Sequence, residues 1–454
     1  MSNPRGSSVD KGNTLEHHAT SDVGRRRACN QDSWSDLPPS SPSQYQQRGW
    51  FFLVADGMGA HAAGEKASAI AAERLPPAYQ KAAHHSPPLA LRRGIEKTNA
   101  EIHAEGESRP EYRGMGTTCT ALVILPRGAI LGHVGDSRCY RVHGHLIEQL
   151  TFDHSLVWEL ERERQQSGGE AAPTAPKNII TRSMGPHPSV KVDLEGPYAV
   201  AEGDCFILCS DGLSGQVTDE EIGLLTSLLP PKEAGEALVG LTLVRGAPDN
   251  VTVIVARAGR EEVSSRSAAE QRWPLVETDD STANRSGVPW PWLAAAFGGL
   301  FLALVFGGMY REPPAWIGGG KFIQAALAVA AGGAALVSAT ALLRLLVSVG
   351  SSHRPPEVRE LGPNDRLGKG PYRSYDCSPS PELFEGMVAS LEVTAEGLSA
   401  ADRTTVAEHA AKVRLAAAGG DYPGAARALA AGLGVFHRAV EQARRDETFR
   451  DGPA

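Results

Sequence analysis

Phe51-Phe52-Leu53-Val54-Ala55-Asp56-Gly57-Met58-Gly59 runs from an unbroken apolar stretch straight into an acidic turn. A run this short and uncharged suits a strand packed inside a layered core, and Asp-Gly is a turn pair. The Asp56 carboxylate therefore falls at a strand end. The arrangement recurs at Gly135-Asp136-Ser137-Arg138, Ser210-Asp211-Gly212 and Pro248-Asp249-Asn250, each beside an apolar run. Magnesium and manganese prefer oxygen ligands and keep several waters, so carboxylates on strand ends around a cleft suit them better than a cage of His and Cys. One Asp-Gly alone usually just turns the chain. Four such aspartates, each beside an apolar run, point to an enzyme.

Outward from that stretch, Cys119 to Leu125, Ala129 to Val134, Asp204 to Cys209 and Val251 to Ala256 read as further strands. Gly64 to Leu75 and Pro88 to Ala104 read as helices, and a third begins at Thr218, where Thr218 and Glu221 form a capping box. Tyr140 to Leu150 reads as a hairpin turning at His143-Gly144. Helices come in blocks between runs of strands, which predicts an α+β sandwich.

At 454 residues the chain exceeds what one core usually fills. A net charge of -8, with Arg25-Arg26-Arg27 as the only short basic triplet in the N-terminal half, offers no tract for neutralising phosphates along a nucleic acid. Nucleic acid is excluded as an expected partner. The six cysteines have no metal-ligand pairing and read as reduced thiols. The polar N-terminus lacks the apolar stretch of a secretory signal.

Residues 259–288, rich in Ser, Arg, Glu and Asp, read as a flexible linker. Residues 289–310 and 322–344 are each long and apolar enough to cross a membrane as a helix; two buried helices of a soluble bundle are the alternative. Trp290, Trp292, Tyr310 and Trp316 favour the membrane, because amphipathic rings settle at its interface. Arg285 precedes the pair and Arg344, Arg354 and Arg359 follow it, while the loop 311–321 is nearly neutral. The expectation is a two-helix hairpin in the cytoplasmic (inner) membrane with both long ends cytoplasmic. Beyond a linker at 345–379, Ser380-Pro381 opens the first of three helices in a small all-α bundle over 380–447. That bundle is a candidate surface for a protein partner.

In order along the chain come Ser21-Asp22-Val23-Gly24, Arg27, Asn30-Gln31-Asp32, Asp56-Gly57-Met58-Gly59-Ala60-His61-Ala62-Ala63-Gly64-Glu65 and Gly114-Met115-Gly116-Thr117-Thr118. Val134-Gly135-Asp136-Ser137-Arg138, Asp153-His154-Ser155, Ser210-Asp211-Gly212-Leu213 and Pro248-Asp249-Asn250-Val251-Thr252 follow. This series resembles the bacterial metal-dependent protein phosphatases (PPM, type 2C) over 20–258, with 1–19 left as a disordered tail. The resemblance implies a four-layer sandwich, two antiparallel sheets flanked by helices, with two Mn2+ or Mg2+ ions in a cleft at one end. Asp56 would bridge the ions, Asp211 and Asp249 would complete the first site, and the Gly57 carbonyl would serve the second. Asp136 would join Asp211 at a weaker third site, although Gly215 stands where the family often has another acid.

By the same resemblance Arg27 would grip the substrate phosphate, for which a guanidinium fork is suited. Asp32 and Asn250 would stand behind the ligands. His61 is a candidate general acid or a local structural residue. The segment between Asp153 and Gly185 corresponds to the family's mobile flap, and its stretch Gln165 to Lys177, rich in Gly, Ala, Pro and Gln, leaves substrate preference unread. The implied function is a membrane-tethered serine/threonine phosphoprotein phosphatase acting on the targets of bacterial serine/threonine kinases. The alternative is a non-catalytic binding or sensory protein that works through its C-terminal helices.

Overall fold

The apolar run at Phe51 is divided between two cores. Phe52 and Val54 join Leu122, Leu131, Phe206, Leu208 and Ile254, whereas Phe51, Leu53 and Ala55 pack with Ala67, Leu75, Leu91 and Ile95. Side chains alternate across a strand, so an uncharged run is what a strand sandwiched between a second sheet and a helical layer requires. The structure is a computed structural model describing residues 14–59, 62–167, 179–275, 290–312, 320–351 and 359–450.

In chain order the first elements are β1 (Glu16–Asp22), β2 (Asp32–Leu37), α1 (Pro42–Arg48), β3 (Trp50–Met58), α2 (Ala62–Lys81) and α3 (Pro87–Ser108). Next come β4 (Gly116–Thr117), β5 (Cys119–Leu125), β6 (Gly128–Val134), β7 (Arg138–His143), β8 (Leu146–Gln149) and α4 (Leu156–Ser167). Then follow β9 (Asp193–Tyr198), β10 (Cys205–Cys209), α5 (Asp211–Ser214), α6 (Asp219–Leu228), α7 (Pro231–Val244), β11 (Val251–Arg257), α8 (Arg266–Ala269) and β12 (Trp273–Pro274). After helices α9 (Trp290–Arg311) and α10 (Lys321–Ser351), the chain ends with β13 (Glu360–Leu361), β14 (Arg373–Asp376), α11 (Pro381–Ala395), α12 (Ala400–Ala418) and α13 (Tyr422–Arg450).

One sheet has the order β1-β11-β10-β7-β8-β14 and the other β2-β3-β5-β6-β9, with β4 alongside β3. The pairings are antiparallel. This is the expected α+β sandwich. The Thr218–Glu221 capping box is formed, and Glu221 also holds Arg245 through two 2.6 Å contacts. The β7–β8 hairpin turns at Gly144, whose φ is +59°.

Stretches read as tail or connector contain ordered strands. Glu16 to Ala19, within the presumed tail, pair with β11 from Arg257 to Ile254. Trp273-Pro274 pairs with Leu361-Glu360, and Trp273 stacks on the Arg127 guanidinium at 4.3 Å. Arg373–Asp376 adds a sixth strand by pairing with β8. These segments are short and polar, and their pairing partners lie far away in sequence, so local periodicity could not report them. Around β14, the Glu195 carboxylate accepts the amides of Lys369 (3.1 Å) and Gly370 (3.0 Å).

The three C-terminal helices share one core with α6 and α7. Phe384, Met387, Leu391, Val413, Leu429 and Leu433 are buried together with Ile222, Leu238 and Leu241. Each such side chain contributes about 1.5–3 kcal/mol when fully buried. Thr394 adds a hydrogen bond to the Val244 carbonyl at 2.9 Å.

Residues 276–359 form a separate unit. Within it α9 and α10 lie against each other, Ser338 Oγ donating to the Ala296 carbonyl at 2.7 Å. Phe297, Phe301, Leu304, Val329 and Leu336 are exposed. Both helices are long and apolar enough to cross a membrane.

Candidate metal centre and active site

The site is built where β3 runs out. Asp56 stands directly across from Asp32 in the β2–β3 register. The Asp56 backbone is clamped on both sides: its amide donates to Thr118 Oγ1 and its carbonyl accepts the Thr118 amide, each at 2.8 Å. Gly57 follows in a space where a side chain would overlap the Gln31 and Gly64 carbonyls. Only glycine leaves room for that approach.

Two loops of the opposite sheet complete the cluster. Asp211 opens the single turn of α5 directly after β10. Ser210, just before it, donates its hydroxyl to Asp32 Oδ2 at 2.8 Å, linking the two sheets. Asp249 precedes β11; its Oδ1 accepts the Asn250 amide at 2.9 Å and its Oδ2 accepts Arg27 Nη2 at 2.7 Å. Asn250 pins the loop carrying Arg27, donating to the Val23 and Cys29 carbonyls at 2.8 and 3.0 Å and accepting the Gln31 amide at 2.9 Å. Asp136 is 8% exposed, in the tight turn between β6 and β7. His61 lies outside the described residues, as do 168–178 of the presumed flap.

The carboxylates burden one another. Burial, then the charges of Asp32, Asp211, Asp136 and Asp249, push the Asp56 carboxyl well above the usual range. Asp32, Asp136 and Asp211 are raised as well, burial again leading and neighbouring aspartates adding to it. One oxygen each of Asp32, Asp136 and Asp211, all Oδ1, is buried without a hydrogen-bond partner. Buried unpaired anionic oxygens are costly. A divalent cation is the partner that such a donor set fits. Among the described residues no three acidic, His or Cys side chains form a ready-made cage. Ions that keep most of their waters do not need one.

Beside the cluster lies a cleft of about 800 Å³ lined by Arg26, Arg27, Asp136, Asp153, Asp211 and Asp249, among others. Its wall holds groups that sequence reasoning missed. Arg138 grips Asp153 through both Nε and Nη2, at 2.9 and 2.7 Å to the same oxygen. Trp158 and Arg373 also line the cleft, the guanidinium 4.1 Å from the ring centroid. The Arg-Asp pairing could be suspected from the Asp136-Ser137-Arg138 and Asp153 motifs, but nothing local ties Arg373 to a strand so distant in sequence.

The arrangement places acidic oxygens from both sheets around one opening, with an arginine fork at its rim. The sequence profile described as Protein phosphatase 2C matches residues 23–234. Protein phosphatase PhpP of Streptococcus pneumoniae is 35% identical over 263 residues, covering 55% of this chain and 99% of that protein. The chain belongs to the protein phosphatase 2C family. The serine/threonine phosphatase stp of Listeria monocytogenes is 35% identical over 209 residues, covering 45% of this phosphatase and 82% of that relative. The crystal structure of the Mycobacterium tuberculosis serine/threonine phosphatase PstP/Ppp matches with 33% identity and a TM-score of 0.47, covering 54% of this chain and 99% of that one. This protein is therefore a metal-dependent serine/threonine protein phosphatase, a hydrolase of phosphoproteins that uses divalent ions.

Proposed function

We propose that two Mn2+ or Mg2+ ions bind among Asp56, the Gly57 carbonyl, Asp211 and Asp249, with Asp136 and Asp211 available to a weaker third. The observation that carries this reading is the buried, mutually repelling carboxylate cluster with unpaired oxygens on Asp136, Asp211 and Asp32. Bound ions would activate a water and stabilise in-line displacement at phosphorus. Asp32 and Asn250 act from behind: one receives Ser210, the other ties the Arg27 loop to β11. Arg27, half-exposed at the rim, holds the phosphate oxygens of phosphoserine or phosphothreonine. His61 is the candidate proton donor to the leaving oxygen.

The substrates are phosphoproteins made by bacterial serine/threonine kinases. Helices α9 and α10 tether the enzyme to the cytoplasmic membrane, and the flanking Arg285, Arg344, Arg354 and Arg359 support a cytoplasmic placement of both long ends. The C-terminal helices remain available to a protein partner through their outer faces. The test is phosphate release from a phosphothreonine peptide in Mn2+ or Mg2+. Chelation and Asp211→Asn should each abolish it; activity surviving both overturns the metal reading. A protease-protection assay on sealed vesicles tests the topology, which fails if the C-terminus is shielded with the loop 311–321.

A further inference from the structure

Helix α13 delivers an arginine to the loop that carries Arg27. Arg444 Nη1 lies 3.1 Å from Asp22 Oδ2 and Nη2 lies 3.0 Å from Asp22 Oδ1, a two-pronged ion pair. The same Nη2 donates to the Gly24 carbonyl at 2.7 Å. His437, on the same helix face, has Nε2 3.4 Å from Asp22 Oδ2. Its neighbour Phe436 meets the Arg25 guanidinium at 6.0 Å from the ring centroid. The Asp22 side chain is 9% exposed. Burial raises its carboxyl, but hydrogen bonds from His437, Arg444 and the Gly24 amide outweigh that and hold it well below the usual range.

The gripped loop is coupled to the site by backbone contact. Gly24 has a φ of +74° and is pressed so closely on the Asp249 carbonyl that a side chain would overlap it. Arg25 donates its amide to the Ala247 carbonyl at 2.8 Å. From Arg25 to Cys29 the loop is otherwise exposed. The seat of α13 on α7 is already fixed by buried Ala425, Leu429 and Leu433. Arg444 lies beyond that seam, where its fork acts on the loop.

We propose that Arg444, assisted by His437, is a positioning residue for substrate binding: the last helix holds residues 22–27 in the geometry that presents Arg27 to the phosphate. Affinity for phosphoprotein thereby depends on a helix that lies outside the matched residues 23–234. The proposal rests on the reading of Arg27 as the phosphate-gripping residue.

Full-length enzyme in detergent, as R444M, R444K and R27A, separates the possibilities. R444M should raise KM for a phosphothreonine peptide about five-fold or more with kcat within about two-fold, as expected for loss of a binding rather than a chemical contribution. Its melting temperature should move by no more than about 2 °C, and hydrogen exchange of residues 22–27 should accelerate. R444K, which keeps the charge but not the fork, should fall between. If R444M lowers the melting temperature further, R444K is judged by the same two readouts. If KM or the exchange of 22–27 is unchanged while R27A raises KM, the positioning role is wrong and Arg27 keeps its role. If R27A leaves KM unchanged, the Arg27 reading fails and this proposal falls with it.

Discussion

Arg27 and Asp249, 222 positions apart in the chain, are joined by a 2.7 Å hydrogen bond from Nη2 to Oδ2. A guanidinium that touches a candidate metal ligand with one nitrogen and faces the cleft with the rest can bridge metal site and phosphate. Arg27→Ala should raise KM for phosphopeptide about ten-fold or more, and Arg27→Lys should recover only part, because a point charge cannot match two oxygens. Steady-state kinetics at saturating Mn2+ are the check. An unchanged KM in both variants would remove Arg27 from substrate binding.

The acidic cluster sets function against stability. With no cation to neutralise them, Asp56, Asp32, Asp136 and Asp211 hold one another in a desolvated, repulsive arrangement. Asp211→Asn removes one charge from it. The chelated variant should melt higher than the chelated parent by about 1–2 kcal/mol equivalent, in the range of relieved active-site strain. Stabilisation by added Mn2+, a mass-action effect, should shrink or vanish in the variant. Thermal denaturation with chelator and across a Mn2+ series reads both, and an unaltered Mn2+ response would show that Asp211 binds no ion.

What could be read from the sequence follows physical locality. Phe51 to Asp56 disclosed both a doubly covered strand and a strand-end carboxylate, because burial pattern and turn chemistry are local. Asp136, Asp211 and Asp249 stand at matching ends of strands for the same reason. The sixth strand, Arg373–Asp376, could not be seen: it is four polar residues completed by pairing with β8. The Arg444–Asp22 pair was equally hidden, because one partner lies on an amphipathic helix face that reads as solvated and the other in a motif read on its own. Motifs reported the chemistry; non-local ion pairs and edge pairings, which have no periodicity, did not.

The C-terminal helices should be necessary to the fold of the catalytic unit. Phe384 is 1% exposed and sits in the cluster that also contains Ile222 and Leu238. Phe384→Ala should destabilise by about 3–5 kcal/mol, the usual cost of emptying an aromatic site in a packed core. Thermal inactivation of the detergent-solubilised enzyme is the measurement. If activity survives heating as in the parent, the helices are an appendage and not part of the shared core.

His133 gives the fold an acid-sensitive point of its own. Its ring is fully buried in β6, Nε2 donating to the Phe152 carbonyl at 3.0 Å and Nδ1 meeting the Thr120 hydroxyl at 3.0 Å. Burial, with the nearby His154 adding to it, lowers its pKa to about 3. In the unfolded chain the imidazole takes a proton near pH 6.5. Between those values the unfolded state binds the extra proton and the folded state does not, so stability falls as the pH drops below about 6.5, by at most about 1.4 kcal/mol per pH unit. Above that window His133 is neutral in both states and contributes no slope. Comparing the parent with His133→Gln in saturating Mn2+ isolates the effect from other titrating groups. The parent's melting temperature should fall more steeply from pH 7 to pH 5 than the variant's, and parallel curves would show that His133 is protonated in the native fold.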